Sequence, residues 1–322
     1  MGVTVAADSV PGMASPSSRA DEAPAQLTHR GGGIVAVSIT TVIWGLVPLV
    51  FKETDMPTLA FATYRLWMGV LVYAVVFAFT GRRVRWSVMR VCALGGVFFA
   101  FDIAFTFSAF RLTSIANATI IGALAPVFIT LGAARWFGER VERRDLLFVG
   151  MSFAGVAMVA LGSAGSPTWS PLGDAFAAAS VLSWTCYWLF SKRARARTEV
   201  GALEYMACVM TVAAVIMTVL ALAFGQSLSW PSRADWGWIW LVTIFPGFIG
   251  HSLISWSHRH LEAWLGSLIT QLQPVIATAA GWILLSEAPT ELTIAGGLVV
   301  VAATAAIMIR AGRQSVSIVE GL

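Results

Sequence analysis

Ten continuous apolar runs, each long enough to cross a hydrocarbon core of about 30 Å, leave this chain few ways to fold. They fall at about 33–51, 58–80, 90–110, 113–137, 145–163, 173–191, 201–225, 236–257, 263–286 and 290–309. Lipid cannot hydrogen-bond the backbone, so only helices or closed barrels span it, and runs that do not alternate every second residue read as helices. The predicted fold class is an all-α membrane protein with ten transmembrane helices. Composition agrees: of 322 residues, 57% are apolar and only 12% charged, and the mean hydropathy is +0.77. Soluble domains carry about twice that charge density.

The basic residues orient the bundle. Seventeen of the twenty-one Lys and Arg fall on one side, from Arg30 and the Arg82–Arg90 cluster to Arg140, Lys192, Arg259 and Arg313. The other side holds Lys52, Arg111 and Arg233, while Arg65 lies within a span. The positive-inside rule then places both termini in the cytoplasm, in a bacterial inner membrane. Residues 1–32, rich in Ala, Pro, Ser and acidic residues, read as a disordered cytoplasmic tail, and 312–322 as a second tail. The formal charge of +4 sits in short clusters between spans, a topology signal and not a nucleic-acid one. Cys92, Cys186 and Cys208 all lie in apolar runs, so no disulfide framework is expected.

The chain also contains itself twice. Pro126 precedes Glu139 by thirteen residues, and Pro274 precedes Glu287 by thirteen. Trp44 precedes Lys52 by eight, and Trp184 precedes Lys192 by eight. The predicted units are 33–163 and 173–311, joined by an outside linker at 164–172. Each has five helices, so the second must enter the membrane the other way up. The loop after Glu139 is basic and the loop after Glu287 is not, as opposite orientations require.

Trp44-Gly45, Arg65, Leu112-Thr113-Ser114, Leu124-Ala125-Pro126, Gly138-Glu139-Arg140 and Gly150 together resemble an EamA-type domain of the drug/metabolite transporter superfamily. Trp184, Gln273-Pro274, Ser286-Glu287 and Gly296-Gly297 repeat the pattern in the second unit. The resemblance covers about 33–311. It implies a ten-helix inner-membrane carrier, usually an exporter of small metabolites, amino acids or drugs, working by alternating access. The second unit departs at two places: Met206 stands where the first has Arg65, and Ser286 where it has Gly138.

Charged groups at membrane depth cost roughly 2.5–3.5 kcal/mol on insertion scales, so each needs a reason. At ~1.5 Å per residue, Asp102 lies ~13 Å and Arg65 ~12 Å from the outer ends of adjacent helices. The two are expected to pair, with substrate or a proton competing for them. His251, the inverted counterpart of Asp102, lies ~11 Å from the inner end, and Glu204 ~6 Å from that same end. These two are candidates for a proton relay, since imidazole titrates near neutrality. By the same reckoning Asp102 and His251 fall at opposite sides, which disfavours a shared catalytic centre.

Trp44 and Trp184 lie near mid-membrane, with Gln271 and Gln273 beside Pro274 in the ninth helix. Aromatic walls with a few amides form a pocket suited to a small amphipathic solute. The first, third, fourth, sixth, eighth and ninth helices are expected to line it. The candidate substrate-binding set is thus Trp44, Asp102, Trp184, His251, Gln271 and Gln273. Arg65, Asp102, Glu204 and His251 are the ion-pair or proton-coupling candidates. Glu139 and Glu287 are expected to anchor helix ends. No phosphate-binding Gly-rich loop, metal-ligand cluster or nucleophile–base set stands out, so no cofactor, metal or ATP is predicted. The expected function is secondary transport of a small organic solute, outward, with protons as the coupling ion or by facilitated diffusion. The expected partners are that solute and the lipid bilayer, with a homodimer left open and no nucleic acid. An intramembrane enzyme or a non-transporting receptor or scaffold is the alternative.

Overall fold

The computed structural model describes residues 16–47, 54, 56–84, 86–113, 115–163, 170–286 and 288–320. Lys52 and Glu287, one member each of two spacing pairs, lie outside the described residues. Among the described residues there is no strand.

The first half runs α1 (Pro16–Gly45), α2 (Thr58–Thr80), α3 (Trp86–Leu112), α4 (Ile115–Gly122), α5 (Ala125–Phe137) and α6 (Arg143–Ser163). The second runs α7 (Pro171–Arg197), α8 (Ala202–Ala223), α9 (Arg233–Val242), a π-helical segment (Thr243–Gly250) and α10 (His251–Ser257). It continues with α11 (Ala263–Ile269), a 3-10 turn (Thr270–Leu272), α12 (Gln273–Leu285) and α13 (Glu291–Glu320). Helix thus reaches into both segments assigned as tails, back to Pro16 and on to Glu320.

The fourth and ninth apolar runs are each broken at the same place. Pro126 and Pro274 sit in the first turns of α5 and α12. A proline has no N–H and its ring clashes with the carbonyl four residues back. Those carbonyls belong to Gly122, the last residue of α4, and Thr270, the first after α11. Both runs also end alike. Gly138 (φ 67°) donates its N–H to the Ala133 carbonyl, and Ser286 (φ 58°) donates to Gly281. A left-handed residue closing a helix with a six-to-one bond explains the Gly-Glu pattern.

Eight helices among the described residues are long and apolar enough to cross a membrane, two short of the ten runs in the sequence. The two left out are α1 and α7. Only part of the first run is described, since 48–53 lie outside the described residues. The 27-residue α7 buries Ser180, Ser183, Thr185 and Ser191 and ends on Lys192, Arg193, Arg195 and Arg197. It packs against α3, α4 and α5, while α1 packs against α10, the π segment and α12. A helix packed on several sides needs less apolar surface than one mostly facing lipid, although α1 still exposes Val35, Ile39 and Val42, and α7 Leu182. Phe79, Leu131, Ile283 and Leu298 of the other helices are likewise exposed on outer faces.

Two apolar clusters hold the bundle. One joins α2, α3 and α8 through Leu66, Tyr73, Phe99, Tyr205, Met206 and Met210. The other joins α1, α5, α7 and α11 through Val37, Ile129, Trp188, Leu265 and Ile269. Elsewhere α6 and α13 cross backbone to backbone. A Cβ on Gly155 would lie 2.8 Å from the Gly296 carbonyl oxygen, and one on Gly296 2.6 Å from that of Gly155. Gly150, part of the sequence pattern, has open space around it.

Candidate functional site

Between the halves lies a cavity of about 770 Å³. All six expected segments contribute to it, and α2 and α6 add Arg65 and Val156. Of the eight candidate residues, Trp44, Arg65, Asp102, Trp184, His251, Gln271 and Gln273 line it. Glu204 does not: its Oε2 accepts the Gly201 N–H at 3.0 Å, closing the first turn of α8. A carboxylate three residues into a helix is well placed for that bond and for the N-terminal dipole. The geometry therefore does not join Glu204 to His251 in a relay.

Asp102 and Arg65 face the same cavity but form no direct ion pair. Asp102 Oδ1 instead accepts the Ser180 hydroxyl at 2.8 Å and that of Thr106 at 3.5 Å, and the two hydroxyls lie 2.6 Å apart. The serine comes from α7, so this carboxylate ties the two halves together. His251 shares the cavity with Asp102, although depth along the helices assigns them to opposite sides. Its ring centroid lies 4.8 Å from that of Trp44 and 4.8 Å from that of Phe99. Phe99 is one helical turn before Asp102, so a single turn of α3 bridges the two.

The π segment shapes this wall. It contains Pro246, whose carbonyl accepts the Trp44 indole N–H at 3.1 Å. Thr40 Oγ1 donates to the Gly250 carbonyl at 3.2 Å and Thr243 Oγ1 to that of Arg65 at 3.2 Å. Trp44 and Thr40 of α1 thus answer carbonyls in a stretch where ordinary helical bonding is disturbed, as burial requires, while Thr243 ties the stretch to α2. Trp44 also meets Trp184 edge to face at 5.7 Å, across the halves. Gln271, 8% exposed, donates its amide to the Ala123 carbonyl at 3.0 Å. It therefore joins the break in the ninth run to the break in the fourth, while the half-buried Gln273 faces the cavity.

The cavity runs from His251 and Ser267 toward one end of the bundle, where Ala109, Ala118, Ala160 and Ala177 line it. The other end is tied shut by polar contacts. Glu139 accepts the Ala263 N–H at 3.0 Å and the Trp264 N–H at 3.4 Å, completing the start of α11. Lys192 lies 3.8 Å from Glu139 and donates to the Leu261 carbonyl. Trp188 Nε1 donates to the Ala263 carbonyl at 3.2 Å, and Arg30 pairs with Glu262 at 2.8 Å. Ser191 meets His258 Nδ1 at 2.7 Å, and Arg259 Nε donates to the Arg195 carbonyl at 3.0 Å. Burial raises the Glu139 carboxyl above the ordinary carboxylate range, with the two backbone amides and Lys192 opposing.

Sequence reasoning missed Ser180 and Thr106 as partners of Asp102, along with Phe99 and the π segment. Thr106, one turn from Asp102, and the Pro246-Gly247 pair were visible signals. Ser180 carries none, since its contact depends on how α7 is rotated.

The profile of the EamA-like transporter family matches residues 31–161 and again 171–309. A probable amino-acid metabolite efflux pump of Salmonella typhimurium is 24% identical over 285 residues, covering 85% of this chain and 93% of that one. The pseudopaline exporter CntI of Pseudomonas aeruginosa is 20% identical over 277 residues, 85% of this chain and 95% of its own. An uncharacterised transporter of Archaeoglobus fulgidus is 24% identical over 285 residues, with 82% and 95% covered. A crystal structure at 22% identity has a TM-score of 0.76, covering 88% of this chain and 99% of that chain, a likeness of fold.

Proposed function

Because this chain belongs to the EamA-like transporter family, we propose that it moves a small organic solute across the bacterial inner membrane by alternating access of its central cavity. The observation that carries the reading is a cavity of about 770 Å³ reaching one end of the bundle, with the opposite end closed between the halves by Glu139 on Ala263 and Lys192 and by Arg30 on Glu262. In this proposal α1 and α7 span with the eight apolar helices, making ten. The repeats are 33–163 and 173–311, inverted with respect to each other. Support comes from the double profile match and from the paired breaks before Pro126 and Pro274. The tied end, rich in Arg and Lys, faces the cytoplasm with both termini, so the cavity is open outward.

Export is the favoured direction, as the names of two similar proteins are those of an efflux pump and an exporter. Rocking of one repeat against the other breaks the polar contacts at the basic end and opens the cavity inward. Asp102, held between the halves by Ser180, is the proposed site where a proton or the solute acts on that equilibrium, with His251 lining the same cavity. Purified protein in proteoliposomes, loaded with a panel of amino acids, nucleosides and amphiphilic ions, tests the reading. At least one solute should leave faster than from empty-vesicle controls, and an imposed proton gradient should change its rate. Asp102→Asn should lower that rate roughly tenfold or more, within the usual effect of removing a positioned proton-transfer group. Wild-type rates in both Asp102→Asn and Asp102→Ala remove Asp102 from the mechanism; no transport of any solute removes the carrier reading.

A further inference from the structure

Arg65 is a buried cation in the cavity wall that no side chain among the described residues bonds, and Asp102 on the same wall offsets its charge only through space. It is 9% exposed and faces the cavity, yet among the described residues its guanidinium makes no hydrogen bond and no ion pair. Only its backbone carbonyl is engaged, by Thr243. A guanidinium keeps its charge throughout the physiological range, so it cannot escape the burden by losing a proton. Buried charges persist where a partner compensates them. The obvious candidate is already occupied, since Asp102 accepts Ser180 and Thr106.

The rest of the wall narrows what the partner is. Among the described lining residues Arg65 is the only Lys or Arg and Asp102 the only carboxylate. One positive charge beside a negative one suits a single negative charge and opposes a second. A doubly charged phosphate therefore fits poorly. The planar guanidinium matches a carboxylate through two parallel bonds. Around it, Trp44, Trp184 and Phe99 offer apolar surface for the remainder of a molecule, and the volume admits one of drug-like size. The second half cannot supply an equivalent, because Met206 is fully buried in the core, taking the Tyr187 hydroxyl at its sulfur (3.6 Å).

We propose that the transported solute is an organic monocarboxylate with an apolar, preferably aromatic body, and that Arg65 receives its carboxylate. This rests on the carrier reading above and adds the chemical class. The full-length protein in lipid nanodiscs is titrated with four probes of one shape: 3-phenylpropanoate, phenylalanine, 3-phenylpropanamide and 3-phenylpropylammonium. At least one of the two carboxylates should bind tenfold or more tightly than the amide and the ammonium. Arg65→Gln should abolish that preference, and Arg65→Lys should keep part of it. The comparison of probes on the unaltered protein holds even where a variant fails to fold. Equal binding of amide and acid, an undiminished preference in a folded Arg65→Gln, or binding of none of the four overturns the proposal. Efflux of the same probes, and of neutral and cationic amphiphiles, from proteoliposomes separates the two readings. Transport confined to solutes without a carboxylate sinks the Arg65 assignment and leaves the carrier standing; no transport at all sinks both.

Discussion

Ser286 holds a left-handed backbone (φ 58°) at the position where the first half has Gly138 (φ 67°). A side chain there costs about 1 kcal/mol, so Ser286→Gly should stabilise the protein by roughly that amount. Thermal unfolding in detergent should show a raised midpoint, and Gly138→Ser a lowered one. At the other end, Glu139 completes α11 from the opposite half. Glu139→Ala leaves the Ala263 N–H unanswered and should cost roughly 1–3 kcal/mol. The Glu139 carboxyl titrates above its ordinary range because it is buried, so the folded state binds its proton more readily than the unfolded one. That contribution to stability is present below the unfolded pKa and is lost as pH rises through the raised one. Wild type should therefore lose stability relative to Glu139→Gln as pH rises across that window, read from unfolding midpoints at each pH. The charged and aromatic members of the site were legible one at a time, because Arg65, Asp102 and Trp44 stand out in apolar surroundings. Their partners were not. Whether Asp102 meets Arg65 or Ser180 depends on helix rotation, which a run without strong periodicity does not encode.

Among the elements, the breaks in the fourth and ninth runs were readable from Pro126 and Pro274, since a proline inside a helix has one steric consequence. The widened turn of the eighth run was not read, although Pro246 stood in the middle of a stretch expected to be one continuous helix, 236–257. A proline there can kink, break or insert a residue, and the bonds from Trp44 and Thr40 favour the last. Replacing Pro246 with Ala restores a donor and lets the segment relax toward α-helix, withdrawing its carbonyl from Trp44. Transport should fall severalfold while the unfolding midpoint stays level or rises. The crossing of α6 and α13 depends on two residues without side chains. Gly155→Leu should cost roughly 1–3 kcal/mol by overpacking, whereas Gly150→Leu, with open space around it, should be close to neutral.

At the scale of the whole molecule, the helical class and the repeat followed from the length of the apolar runs and the shared spacings. The span count is where composition falls short: part of the first run lies outside the described residues, and α7 carries buried Ser and Thr and a basic end although it still exposes Leu182. If that end is a gate, weakening it should change which side reaches the cavity. In a background lacking Cys92, Cys186 and Cys208, a Ser267→Cys reporter should react slowly with a membrane-impermeant maleimide from the basic side. Adding Lys192→Ala should speed that reaction roughly tenfold, the factor expected for about 1.4 kcal/mol of lost bonding. An unchanged labelling rate means the contacts of Lys192 do not restrain the opening.

The carboxylate that finishes α11 belongs to the first half, and the amide that answers the Ala123 carbonyl belongs to the second. Neither half is therefore self-sufficient, for all their common ancestry. A gene cut in the 164–169 connection should give two polypeptides that are degraded when made singly and persist when made together. Ancestral twins have here become complementary pieces, each carrying a plug for the other's socket.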